Sequence, residues 1–208
     1  MSGHQGHDHS HAAVTEGNAK KLTIALILTT TFLIIEFIAG LITQSLALLS
    51  DAAHMFTDAA ALAIALAAIK IAKRPADNKR TFGYQRFEIL AALFNASMLF
   101  FVAMYILYEA YQRFTQPPEI QSLGMLIVAS IGLIINLISM KILMSSATES
   151  LNMKGAYLEV LSDALGSLGV IIGAVIIYFT NWYWVDTIIA VAIGFWVLPR
   201  TWILLKQS

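Results

Sequence analysis

The sequence contains no cysteine, which excludes disulfide staples and thiolate metal sites and leaves imidazole, carboxylate and other oxygen donors as the means of holding a metal. It is also poor in charge. Asp, Glu, Lys and Arg make up 12% of the 208 residues, against 58% hydrophobic, a balance well outside that of water-soluble domains. With only four prolines, long stretches can run as unbroken helix, and the adjacent pair Pro117-Pro118 marks a firm stop because neither can donate a backbone hydrogen bond. The first apolar run lacks a small-residue cleavage site, so it is expected to remain as a membrane helix and not to be removed as a signal peptide. Formal net charge is zero, so no overall basic field exists, and nucleic acid is not an expected partner.

What is present is a series of apolar runs, at about 22–44, 46–70, 88–111, 121–144, 155–179 and 183–205. Each has the roughly 20 residues a helix needs to cross about 30 Å of hydrocarbon. The expected fold is therefore an all-α membrane protein with six transmembrane helices over residues 21–208. A His-rich tail over residues 1–20, MSGHQGHDHSHAAVTEGNAK, has no apolar periodicity and is expected to be disordered. Basic residues set the orientation, since Lys and Arg stay on the cytoplasmic side. With both termini cytoplasmic, Lys20, Lys21, Lys70, Lys73, Arg74, Lys79, Arg80, Arg86, Lys141, Lys154, Arg200 and Lys206 all fall inside, and only Arg113 falls outside. The second run is rich in alanine and the fifth carries Gly155, Gly166, Gly169 and Gly173, small residues that let helix backbones approach closely in lipid.

Against this background the ionisable residues inside the runs stand out. A charged side chain at the bilayer centre costs roughly 2.5 to 3.5 kcal/mol on insertion scales. The second run nevertheless carries His54 and Asp58, four apart and on one helix face, with Asp51 one turn further out. The fifth run, in GAYLEVLSDALGSLGVI, carries Glu159 and Asp163 at the same spacing. Two such claws facing each other supply one imidazole nitrogen and three carboxylates, a set that suits tetrahedral zinc and, with adjusted geometry, cadmium, cobalt or manganese. Bound cation or bound protons would each offset the burial of these ligands, so metal entry would displace protons and proton entry would expel metal. The span limits put the two claws at different depths, that of the second run near mid-membrane and that of the fifth several residues to the cytoplasmic side of Ser167, so that either the fifth helix starts earlier, near Thr148, and extends beyond the bilayer, or tilt and axial displacement bring the claws level.

The remaining polar residues carry less. Glu36, Asn95, Asn136 and Ser139 suit hydrogen bonds across the bundle, and Glu36, Asn136 and Asp51 are candidates for a proton relay or for orienting the ligands. His4, His7, His9 and His11 form a weak metal-collecting tail at the cytoplasmic mouth. An intramembrane metalloenzyme and a passive cation channel are the competing readings. The first needs an open coordination position beside a general base, as in H-E-x-x-H, and the sequence has neither that motif nor a Ser/His dyad. The second is poorly served by a tight four-ligand site. No enzyme activity and no catalytic cofactor are expected.

The run SLALLSDAAHMFTDAAALAIALAAIKIAKRPADNKRTFGYQRFEILAALFNA, followed by GAYLEVLSDALGSLGVI and WVDTIIAVAIGFWVLPRTWILLK, resembles the cation diffusion facilitators, and within them the bacterial cobalt–zinc–cadmium resistance branch. The resemblance implies a homodimeric antiporter in the bacterial inner membrane that exports zinc, cadmium and cobalt from the cytoplasm in exchange for protons. It places helices one, two, four and five around the site, with helices three and six beside them. It also implies transport ligands at His54, Asp58, Glu159 and Asp163. Glu159 stands where zinc-selective relatives commonly have histidine, which makes the site richer in oxygen and favours a broader choice of metal. Most members continue after the sixth helix into a cytoplasmic dimerising domain; the sequence given ends at LLKQS, and no such domain is expected within it.

Overall fold

A computed structural model of the chain describes residues 8–72, 83–148 and 151–207. Every element among them is helical: α1 (Asp8–Thr43), α2 (Leu46–Ala72), α3 (Gly83–Thr115), α4 (Ser122–Met144), α5 (Leu151–Thr180) and α6 (Trp184–Gln207). Six helices match the six apolar runs. The first starts earlier than composition suggested: residues 8–20, read as disordered, continue α1 outward, because extending an existing helix adds one hydrogen bond per residue fixed and Ala12, Ala13, Glu16 and Ala19 are strong helix formers. Residues 1–7, with His4 and His7, and the side chains of His9 and His11 lie outside the described residues.

Short connections hold the helices in order. α1 ends at Gln44, which takes the left-handed φ of 58°, and Ser45 N–H reaches back to the Gly40 carbonyl at 3.1 Å, closing the last turn as a helix stop that usually employs glycine. α5 ends in the same way at Asn181, φ 55°, where Asn181 N–H donates to the Ile177 carbonyl at 2.8 Å; asparagine tolerates that conformation better than most residues.

Packing is tightest along α4 with α5, α1 with α2 and α1 with α4, while α6 lies against α2 and α3. α1 and α4 run antiparallel, with Phe32 seated over Gly132 and Lys21 Nζ donating to Ser145 Oγ at 2.8 Å and Ser146 Oγ at 2.6 Å. Two apolar cores form. One, at the Gln44 end, gathers Leu46, Leu48, Ile106, Met125 and Ile177; the other, at the Lys21 end, gathers Leu22, Leu143, Met153 and Val160. Between them is a buried polar layer containing Glu36, Asp51, His54, Asp58, Asn136 and Asp163, while Phe101, Tyr111 and Phe179 point outward and are well exposed. Charge inside and aromatic surface outside is the arrangement of a protein whose solvent is lipid. Three helical stretches, Gly17–Thr43, Ser122–Met144 and Met153–Thr180, are long and apolar enough to cross a membrane among the described residues.

Candidate metal centre

α2 and α5 meet in the polar layer, antiparallel. His54, Asp58 and Asp163 are all buried, and one ligand atom from each lies within 4.8 Å of the others. His54 Nε2 is 3.3 Å from Asp58 Oδ2 and 3.7 Å from Asp163 Oδ1. Two ligands each about 2.05 Å from a tetrahedral ion are about 3.3 Å apart, so the His54–Asp58 pair already has the edge length of a zinc polyhedron. Closing the longer edge requires only a small approach of α5 to α2.

Why these residues meet follows from register. A Cβ placed on Gly166 would stand 2.7 Å from Asp51 Oδ1, so Asp51 faces Gly166, and one turn along His54 faces Asp163. Continuing the same antiparallel register by four residues sets Asp58 level with Glu159. The two claws are therefore at one height, and the depth difference expected from the span limits disappears: α5 begins at Leu151, four residues before the apolar run, and slides its charged end into line. Glu159 is half-buried and does not belong to the three-residue cluster.

One turn from the ligands, Glu36 of α1 and Asp51 are both fully buried. Their carboxyl groups lie close together, and among the described residues no group donates a hydrogen bond to their oxygens. Only a proton or a cation between them would join them. Asn136 of α4 donates to Ser167 Oγ at 3.4 Å, and among the described residues its carbonyl oxygen and Ser139 Oγ have no hydrogen-bond partner; both residues are fully buried in the polar layer. Asn95 lies on α3, and its side chain is outside the described residues. A cavity of about 360 Å³ opens onto the site between α2, α5 and α6, lined by Asp51, His54, Ser162, Gly166, Ile189 and Trp196.

Of the four glycines in α5, two do the work expected of them. Gly166 makes room for Asp51 and Gly173 for Ile189, whereas a Cβ at Gly155 or Gly169 would meet nothing within 4 Å. Sequence reasoning missed Asp186, which is fully buried in the first turn of α6 and binds the start of α2 through Ser45, Leu46 and Ala47. The signal available was Arg113, the lone basic residue assigned to the outer side, which implied a buried acid nearby.

Comparison with known proteins agrees with this layout. Residues 22–208 match the cation efflux transmembrane domain. The chain is 68% identical over 203 residues to the metal cation efflux system protein CzcD of Cupriavidus metallidurans, covering 98% of this chain and 63% of that protein. It is 44% identical over 205 residues to the cadmium, cobalt and zinc/H(+)-K(+) antiporter of Bacillus subtilis, covering 98% of this chain and 65% of that protein. To the zinc transporter ZitB of Escherichia coli it is 40% identical over 206 residues, covering 97% and 66% respectively. The chain thus spans a little under two thirds of the length of these relatives. A domain match across nearly every residue from Leu22 onward, over a helical bundle with a buried His/carboxylate cluster at its centre, makes this chain a member of the cation efflux family.

Proposed function

We propose that the chain is the membrane part of a divalent cation/proton antiporter that exports zinc, cadmium and cobalt, and that its cargo is held by His54, Asp58, Asp163 and Glu159. The observation that carries this reading is the cluster of one imidazole and two carboxylates, buried where α2 and α5 cross. Unpaired, such a set is expensive in lipid; a divalent ion satisfies it. Glu159, level with Asp58 and still half-exposed, completes four-coordination by turning its side chain inward. The names of the relatives, which mention metal cation efflux, zinc transport and cadmium, cobalt and zinc/H(+)-K(+) antiport, support the same choice of cargo and argue for transport over catalysis.

Six spans with both termini cytoplasmic, in the inner membrane of a bacterium, fit the basic-residue pattern, and a homodimer fits the family. In this reading the carboxyl pair Glu36–Asp51, with Asn136 nearby, carries protons against the metal, and the histidine-rich tail, His4, His7, His9 and His11, collects metal at the mouth. The test is flux. In proteoliposomes with an imposed pH gradient the unaltered chain should accumulate zinc and cadmium, and Asp58→Ala and Asp163→Ala should reduce uptake to the level of empty vesicles. Undiminished uptake by either variant would remove the assigned site.

A further inference from the structure

α2, the helix that carries His54 and Asp58, begins inside an apolar core, where its first backbone N–H groups have no water to turn to. Ser45 takes one of them: its Oγ accepts from Leu48 N–H at 3.1 Å. The others go to a residue 140 positions away. Asp186 Oδ2 accepts from Leu46 N–H at 2.6 Å, and Oδ1 accepts from Ala47 N–H at 3.2 Å and from Ser45 Oγ at 2.6 Å. Arg113 of α3 closes the group. Its Nη1 lies 3.7 Å from Asp186 Oδ2 and donates to the Gln44 carbonyl at 2.6 Å, while Nε donates to Glu109 at 3.0 Å.

A carboxylate at a helix start is favoured by the partial positive charge there. A capping acid ordinarily sits on the helix's own first residue, whereas this one comes from α6 and is gripped by α3. It therefore does more than end the helix tidily: it fixes the axial height of α2 against two neighbours. His54 lies about 12 Å further along the axis at 1.5 Å per residue, and a helix transmits an axial shift at its first turn to every residue on it. The facing ligand, Asp163, is on α5, which packs on α6 further along but receives none of the hydrogen bonds or ion pairs described for Asp186. Slippage at Asp186 would appear directly as misregister between His54 and Asp163.

We propose that Asp186, held by Arg113, is a positioning residue for the transport site: it sets the height of His54 and Asp58 against Asp163. The inference rests on the reading of those three as cation ligands. Its rival is that the acid only caps α2. The two separate in a double variant, Ser45→Asp with Asp186→Asn, which returns a carboxylate to the helix end while leaving α2 untied from α6.

The experiment is calorimetric titration of Cd2+ into the full 208-residue chain in detergent, with thermal unfolding recorded alongside. Asp186→Asn should weaken Cd2+ binding at least tenfold and lower the unfolding temperature. The double variant should regain unfolding temperature without regaining affinity. Ser50→Ala removes a 3.0 Å hydrogen bond to the Ala190 carbonyl on the same α2–α6 seam and should leave affinity within twofold. Affinity within twofold in Asp186→Asn, recovery of affinity in the double variant, or an equal loss in Ser50→Ala overturns the proposal. If Asp186→Asn is not recovered as monodisperse protein, Arg113→Lys, which keeps the charge but loses the forked donor set, is compared with Ser50→Ala by the same criteria. An unaltered chain that binds no Cd2+ removes the ligand reading itself and this proposal with it; binding that Asp58→Ala abolishes shows that the ligand reading stands whatever Asp186 does.

Discussion

Gly166 and Gly169 stand one turn apart on α5 and both line the cavity beside the metal cluster, yet alanine at the two positions should behave in opposite ways. At Gly166 the new Cβ would lie 2.7 Å from Asp51 Oδ1, about 0.7 Å inside the 3.4 Å at which ordinary contact begins. Asp51 is fully buried, so its carboxylate must give up its present place by turning towards the adjoining cavity, or α2 must move away from α5. Overpacking of this kind costs about 1–3 kcal/mol. At Gly169 nothing lies within 4 Å, so no such cost arises. Both substitutions gain the helix preference of alanine over glycine, up to about 1 kcal/mol, and that gain cancels between them. The difference in stability should therefore be about 1–3 kcal/mol, with Gly169→Ala the more stable, measured by unfolding in mixed micelles. Cd2+ affinity should follow, because α2 displaced at Asp51 lengthens the 3.7 Å gap between His54 and Asp163 one turn away: at least threefold weaker in Gly166→Ala and unchanged in Gly169→Ala. Equal stability within 0.5 kcal/mol together with equal affinity would refute the α2–α5 register on which the site is built.

Other outcomes follow from single contacts. His54→Asp exchanges the one imidazole for oxygen, so binding of zinc should fall relative to manganese by tenfold or more in competition titrations, since carboxylate donors suit manganese. Glu36→Gln and Asp51→Asn keep shape but cannot pass a proton between the paired carboxyls; metal binding should survive while metal-driven proton movement, followed with a pH dye inside vesicles, falls several-fold, and unchanged coupling in both would remove the relay. Gln44→Gly should raise stability by about 0.5–1 kcal/mol, because glycine takes the φ of 58° without the steric cost borne by a side chain. Gly132→Ala should destabilise by about 1–3 kcal/mol, since the Phe32 ring occupies the space its methyl would need.

The parts of this molecule that were readable in the sequence are those whose physics is local. Six apolar runs became six helices because length and composition alone decide whether a segment can be helical in lipid. His54 with Asp58, and Glu159 with Asp163, announced themselves because a charge inside such a run needs a reason and because four-residue spacing puts each pair on one helix face. What was not readable depends on pairing between distant segments. The matching height of the two claws needs the α2–α5 register, which Gly166 sets and no single helix encodes. The carboxyl pair Glu36–Asp51 needs α1 laid against α2. Asp186 drew no attention because its partners, Ser45 and Leu46, are more than a hundred residues away. Hydropathy also left the helix ends open, because it marks where a helix meets lipid whereas hydrogen bonding decides where it ends, and both α1 and α5 begin before their apolar runs.

These contacts also explain why the cluster can be both buried and responsive. α5 packs mainly on α4 and also on α6, and α2 mainly on α1 and α6, so the proposed ligands stand on two helices that share α6 but otherwise have different main neighbours. At one end of the seam between α2 and α5 Asp186 and Arg113 hold α2; in the middle Gly166 admits Asp51; beyond it Glu159 remains half-exposed and outside the cluster. In the proposed reading, an ion entering beside Asp58 would draw Glu159 inward and close the longer His54–Asp163 edge, and both movements would bring α5 towards α2. In the same reading, departure of the ion would remove the charge that offsets the buried carboxylates, which would favour separation of the seam or arrival of protons. On the proposed reading, the cost of burying these acids would couple occupancy of the site to the spacing of the two helices, and a substitution that relaxes that cost should loosen the coupling before it unfolds the protein.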